Sequence, residues 1–359
     1  MAFSLVGITI LSACKKDRGD IVVDRVPSAT LGVYVLCEGP YGIANNSTIT
    51  YYDIATKAVT QDIFKQKNGI ALGSNANDLK QYGSKMYCVV TGTTVEAKDS
   101  YVEVIDIASG KSIKRIPFYD ANKGFMPRYI QFNKNKAYVS SYDGFISKID
   151  TAALTIETRV KAGEALEEVA IVNNKLYVTN SDFPPYSNLL NTSVSVIDLN
   201  TFTKLADILS GLNPARISAV NSGDLFTVAR GNYGDIKPAI GRISSVTDKQ
   251  SEIKNADVSY LKIFGSLGFV IGDWNDQFIR TLDLTTGLPG KDFITDGTKV
   301  VTPYSITVDF FNSNVFVADV NNYSKTEGKI LAFNGSGKLQ YSFVTGSIPQ
   351  TAVFNYSYK

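Results

Sequence analysis

The sequence predicts an all-β chain of four-stranded antiparallel sheets repeated around one ring of seven, and three observations carry that reading. The first is strand-length alternation. Within Lys175–Arg216, Leu176–Thr179, Ser193–Leu199 and Lys204–Leu209 alternate or run apolar, and Asn180–Pro185, Asn200-Thr201 and Gly211–Pro214 separate them. Alternation over about four to eight residues between turn formers marks short strands. The second is recurrence: the aromatic at Tyr177 returns at Tyr34, Tyr87, Tyr138, Phe226, Phe269 and Phe316, about 47 residues apart on average. The third is a matching acid. Asp198 returns at Asp53, Asp106, Asp150 and Asp283, with Ser245 and Asn334 in the two remaining units. A unit of this length cannot bury both faces of its sheet alone, and stacking such units radially gives a β-propeller.

The first blade opens at Val33 and runs to Phe64 without an inner strand before it. The chain ends on Thr351–Phe354, an inner strand with no blade after it. Each completes the other, so the C-terminal strand is expected to close the ring and remove the open edge. Between them lie Asp78–Phe118, Arg128–Lys161, Glu168–Leu209, Ala215–Ile253, Ser259–Ile294 and Ser305–Val344. The link between second and third strands is long in blades one, two, four, five and seven, and short at Tyr142–Phe145 and Trp274–Gln277. Insertions gathered on one face of a repeat array mark its working face. The five repeated aspartates cannot all form one active site and are expected to cap turns through their carboxylates.

Tyr177-Val178-Thr179-Asn180, with Ile197-Asp198 and the Gly211-x-x-Pro214 step, closely resembles the YVTN repeat of surface-layer-type seven-bladed propellers, from about Leu31 to the C-terminus. The resemblance implies the fold and leaves the chemistry open. Phe3–Leu11 is apolar but too short to span a bilayer, and it leads into Leu11-Ser12-Ala13-Cys14. That step resembles the lipobox of bacterial lipoproteins, although no Lys or Arg precedes the apolar segment. The resemblance implies a signal peptide over 1–13, a tether over 14–30 with Cys14 lipidated, and a single propeller over 31–359. Asp150-Thr151-Ala152 resembles the short O-glycosylation signal of Bacteroidetes. Cys37 and Cys88 are expected to be buried thiols.

Composition narrows the chemistry. The chain has no histidine, which excludes Ser-His-Asp and Cys-His catalysis, His-ligated zinc and a His general base. No phosphate-binding glycine loop opens a helix, no EF-hand-type calcium loop is present, and the cysteines lack zinc spacing. A net charge of +2 with no basic run beyond Lys15-Lys16 argues against nucleic acid.

What remains is a set of polar and aromatic residues that blade positions should bring to the long-loop face. Glu38, Asn180, Arg230, Asp273, Trp274 and Asp319 end second strands. Asn77, Arg128, Glu167, Arg216 and Tyr304 begin inner strands. Three arginines at one mouth repel unless an anionic group sits among them. These features suit a non-catalytic, lipid-anchored binding module without cofactor or metal, its ligand a corrinoid, glycan or peptide. The lipobox, tether and repeat together resemble Bacteroidetes surface lipoproteins, some of which capture cobalamin for a TonB-dependent outer-membrane transporter. Two other classes stay open: a metal-dependent lactonase or lyase with Glu38, Asn180 and Asp273 on Ca²⁺, and a structural protein-interaction propeller of the envelope.

Overall fold

The computed structural model describes residues 26–181, 191–323 and 327–359. It contains seven four-stranded antiparallel sheets, each with its strands in sequence order from the axis outward except the closing one. Blade four shows the plan: Leu166–Val172, Lys175–Asn180, Ser193–Asp198 and Thr203–Leu209, from the channel to the rim. The second strand is buried almost throughout, whereas the outer strand is mostly exposed. Asn173 and Asn174 both take positive φ, 50° and 60°, as a two-residue type I′ hairpin demands. That tight turn sets the register, pairing Val172 with Lys175.

Among the described residues seven apolar clusters are each shared by two neighbouring blades, and a small eighth gathers Met126, Tyr142 and Ala165. Each recurring second-strand aromatic enters one of them, and Tyr87, Tyr177, Phe226 and Phe316 are almost completely buried. Burying one such side chain contributes roughly 1.5–3 kcal/mol. Where the aromatic is tyrosine, its hydroxyl can also tie two blades. Tyr34 donates to the Ile107 carbonyl at 2.9 Å and Tyr177 to Asp248 at 2.5 Å.

The repeated acids cap turns as expected. Asp198 Oδ1 accepts the N–H groups of Asn200 and Thr201 at 2.7 and 2.9 Å, and Asp53, Asp106, Asp150 and Asp283 accept in the same way. Asn334 does so in blade seven. Cys37 and Cys88 are buried free thiols. Thr151 is 6% exposed and donates to the Asn135 carbonyl, so its hydroxyl is not presented for glycosylation in the folded state.

Blade one departs from its expected outline. Its outer strand is only Val59–Thr60, and Ile63–Asn68 is a helix instead of strand. The Asp62 carboxylate accepts the Lys65 N–H and Gly69 closes the other end at φ 70°, so a local N-cap and glycine C-cap override the repeat there. Its inner strand is the C-terminal Pro349–Tyr358, paired with Pro27–Cys37 through Val33 opposite Phe354. The strand thus begins at Pro27, inside the stretch read as tether. Cys14 lies outside the described residues.

Deleting Gln350–Lys359 should strip Phe354 from the cluster between blades seven and one and expose the edge of Pro27–Cys37. The expected outcome is aggregation or loss of a single cooperative melting transition, read by calorimetry and size-exclusion chromatography. A truncated chain that stays monomeric and melts like the parent would refute closure through this strand.

Candidate functional site

Antiparallel pairing places the starts of inner strands beside the ends of second strands, as in Ala76 opposite Val90. Residues from these two places and from the long loops meet at one end of the ring, around a cavity of about 560 Å³. Glu38, Arg128, Arg216, Arg230 and Tyr304 all line it, together with Tyr129, Tyr142 and Tyr323.

Each arginine there has a different environment. Arg128 grips Glu167 with Nε to Oε2 at 3.1 Å and Nη2 to Oε1 at 3.4 Å, and lies 4.6 Å from the centre of the Tyr142 ring. Tyr142 donates to the same carboxylate at 3.0 Å, so Arg128 is neutralised in place. Arg216 sits deeper: an Nη1 hydrogen donates to the Tyr129 hydroxyl, and the guanidinium lies 5.2 Å from the Tyr260 ring centre. Its Nε is buried with no hydrogen-bond partner among the described residues. An unmet donor of this kind costs free energy until something accepts from it. Arg230 is held by its backbone, donating to the Asn213 carbonyl at 2.9 Å. Neither Arg216 nor Arg230 forms an ion pair among the described residues.

Glu38 faces this positive field. Its N–H donates to the Ile348 carbonyl at 2.9 Å, and both carboxylate oxygens accept from Tyr304 at 3.1 Å. Burial raises its pKa, against Arg128, the Tyr304 hydroxyl and Arg216, to about 7. Burial and the Glu38 charge push the Tyr304 hydroxyl well up, so it remains a donor.

Trp274 is 67% exposed at the rim, its ring centre 5.5 Å from Tyr323, and Tyr323 lies 6.2 Å from Tyr304. The three rings lead from solvent to Glu38. Beside them a groove of about 180 Å³ is lined by Arg230, Tyr233, Asp273 and Trp274, so Arg230 borders both spaces. Asp273 is there but partly engaged, accepting the N–H groups of Asn275 and Asp276.

Two of the residues expected at the mouth are engaged by the protein's own groups. Asp319 is fully buried and accepts the N–H groups of Val301, Thr302 and Asn321 at 3.1, 2.9 and 2.8 Å. Asn180 is buried and donates to Ser193 and Ser195 at 2.8 and 2.9 Å. Asp319 fastens a loop, because a second-strand end is also where backbone groups leave the ladder and need partners, whereas Asn180 ties its strand end to the third strand through two serine hydroxyls. Glu38, Asn180 and Asp273 are not brought together: the first lines the mouth, the last the lateral groove, and Asn180 neither. Among the described residues no group of three or more Cys, Asp or Glu has metal-binding proximity.

Sequence reading missed the residues one position deeper on the inner strands. Below Arg216, a second cavity of about 700 Å³ is lined by all seven inner strands, and Tyr129, Arg216 and Gln350 border both cavities. Lys262 pairs with Glu168 at 2.5 Å, while Lys80 lies 3.6 Å from Asp78 and donates to the Ile130 carbonyl at 2.6 Å. Asp78 and Glu168 also accept the N–H groups of Ile130 and Ile217 on the next blade. The signal was present as polar residues at alternate positions, Asp78 and Lys80 or Tyr260 and Lys262.

No family model matches the sequence, and no curated protein does. Among solved structures the chain is similar to a quinonprotein alcohol dehydrogenase-like protein from Bacteroides thetaiotaomicron, with a TM-score of 0.65 and 17% identity over 90% of this chain and 78% of that one. It is similar also to dihydro-heme d1 dehydrogenase NirN in complex with DHE, with a TM-score of 0.58 and 11% identity over 92% and 76%. The computationally designed Ika8 protein gives a TM-score of 0.52 and 14% identity over 89% and 88%. The shared feature is the propeller. At these identities nothing passes from their chemistry to this chain.

Glu38 gives a pH test. Its folded pKa of about 7 lies above the ordinary 4.5, so between those values the folded state holds more protons than the unfolded one. Its contribution therefore falls as pH rises through that window. Urea unfolding across the window should show stability declining with pH in the parent and a shallower decline in Glu38→Gln. Identical slopes would place the Glu38 carboxyl in an ordinary aqueous environment.

Proposed function

We propose that this chain is a non-catalytic, lipid-anchored propeller of the cell envelope that binds a ligand bearing an anionic group at its long-loop mouth. One observation carries the reading: Arg216 and Arg230 line an aromatic-rimmed cavity without a carboxylate partner among the described residues. A guanidinium shielded from water gains most from a phosphate or carboxylate. The Trp274–Tyr323–Tyr304 series offers flat apolar faces to the rest of such a ligand. A corrinoid meets these demands, being broad, rich in amides and carrying one phosphate. In this reading the loops pass it to a TonB-dependent outer-membrane transporter, and Cys14 carries the lipid.

Titration calorimetry with cyanocobalamin, with and without EDTA, tests the site. An arginine–phosphate hydrogen bond contributes about 1.5–3 kcal/mol, and stacking on an indole about 0.5–1.5 kcal/mol. Arg230→Ala combined with Trp274→Ala should therefore weaken binding about 30-fold to 2,000-fold, with melting nearly unchanged because both side chains reach the solvent. Unchanged affinity moves the site elsewhere, and binding abolished by EDTA promotes the metal-dependent enzyme. Absence of binding to the parent excludes the corrinoid.

The anchor has its own test. Cys14→Ser should shift the chain from the membrane to the soluble fraction without altering its melting. Persistent membrane association of that variant through an acyl chain, detected by mass spectrometry, would put the lipid elsewhere.

A further inference from the structure

Two carboxyl groups stand at the mouth, and the protein treats them differently. Glu167 accepts two bonds from Arg128 and one from Tyr142. Glu38 lines the same cavity as Arg128, Arg216 and Arg230, yet it pairs with none of them among the described residues. Its two oxygens share one donor, the Tyr304 hydroxyl, at 3.1 Å each. One hydrogen cannot serve both oxygens fully, so part of the bonding capacity of this carboxyl is left over.

The surroundings of Glu38 are charged but hold no fixed partner for it. Burial raises its pKa to about 7 against Arg128, the Tyr304 hydroxyl and Arg216, and Glu167 adds to the rise. Burial also raises the hydroxyls of Tyr129, Tyr142, Tyr304 and Tyr323 above their ordinary value, so they stay donors. Arg128, Arg216 and Arg230 stay cationic. Tyr41 and Glu96 complete the polar lining, and Glu96 is exposed on its loop.

An anion entering this space meets Glu38 in one of two states. As a carboxylate, Glu38 repels it and competes for the same guanidinium groups. As the neutral acid, it carries no charge and gains a donor hydrogen. A second negative charge beside a carboxyl raises that carboxyl's affinity for a proton, so anion and proton favour each other. We propose that Glu38 enters the complex as the neutral acid, accepting from Tyr304 on one oxygen and donating from the other to the anionic oxygen of the ligand. The proton comes from solvent, and one is taken up with each anion. This role, which rests on the anion-binding reading of the mouth, makes Glu38 a specificity-determining residue. A cationic ligand would favour the ionised carboxylate and reverse the dependence on pH.

The test titrates the parent with cyanocobalamin and, separately, with sodium sulfate, neither of which changes charge between about pH 6 and pH 8. Either probe that binds is sufficient. Affinity should fall about tenfold from pH 6 to pH 8, with close to one proton taken up per anion at the upper end. Calorimetry in buffers of different ionisation enthalpy counts that proton in the parent and needs no variant. Glu38→Gln holds a neutral donor at every pH, so its affinity should no longer change with pH and its binding should take up no proton. Parent binding without proton uptake, or a Glu38→Gln variant that retains the parent's pH dependence, overturns the role of Glu38 and leaves the anion site standing. If neither probe binds the parent at either pH, the anion-binding reading itself fails and takes this inference with it.

Discussion

The strand pair Pro27–Cys37 and Pro349–Tyr358 is the contact on which the rest of the ring depends. Each blade covers one face of its neighbour, so a ring lacking its last inner strand would leave the cluster around Val33, Tyr52, Phe343 and Phe354 open. The two ends of the chain must meet for that cluster to be buried. Their meeting also fixes the diameter of the channel, because seven inner strands then share one perimeter. The mouth at one end and the lower cavity at the other inherit their positions from that closure.

Closure makes the two ends of the ring unequal. At the lower end, two-residue hairpins such as Asn173-Asn174 and aspartate-capped turns leave little freedom, since their residues satisfy φ or backbone N–H requirements. At the upper end, chain leaving a second strand can lengthen without disturbing register. The fold therefore confines variation to the mouth, where Glu38, the Arg216–Arg230 pair and Trp274 come from three different blades. Side chains widely separated in sequence can act together there because the scaffold beneath them is stiff.

The electrostatics of the mouth follow from which charges find partners. Arg128 is neutralised by Glu167, and the lower channel balances Lys262 with Glu168. Arg216 lies between these pairs with an unmet Nε, and Arg230 faces the rim. Glu38 lines the same cavity, yet burial holds its pKa near 7. A proton can thus settle on Glu38 at little cost, leaving the arginines to a guest.

Much of the architecture was legible in the chain itself. Strand alternation, the returning aromatic and the returning aspartate are local signals, repeated often enough to count blades and to foresee closure by Thr351–Phe354. The helix at Ile63–Asn68 was the exception, because its Asp62 and Gly69 caps act over a few residues inside a repeat that suggested strand. The site was legible only as a list of blade positions. Glu38, Arg128, Arg216 and Arg230 do share a cavity, but Asn180 and Asp319 turn inward to satisfy loop backbone and serine groups. Sequence specifies which residue stands at the end of a strand. Whether its side chain meets solvent, a neighbouring blade or a loop depends on contacts across the ring, and only the closed tertiary structure decides that.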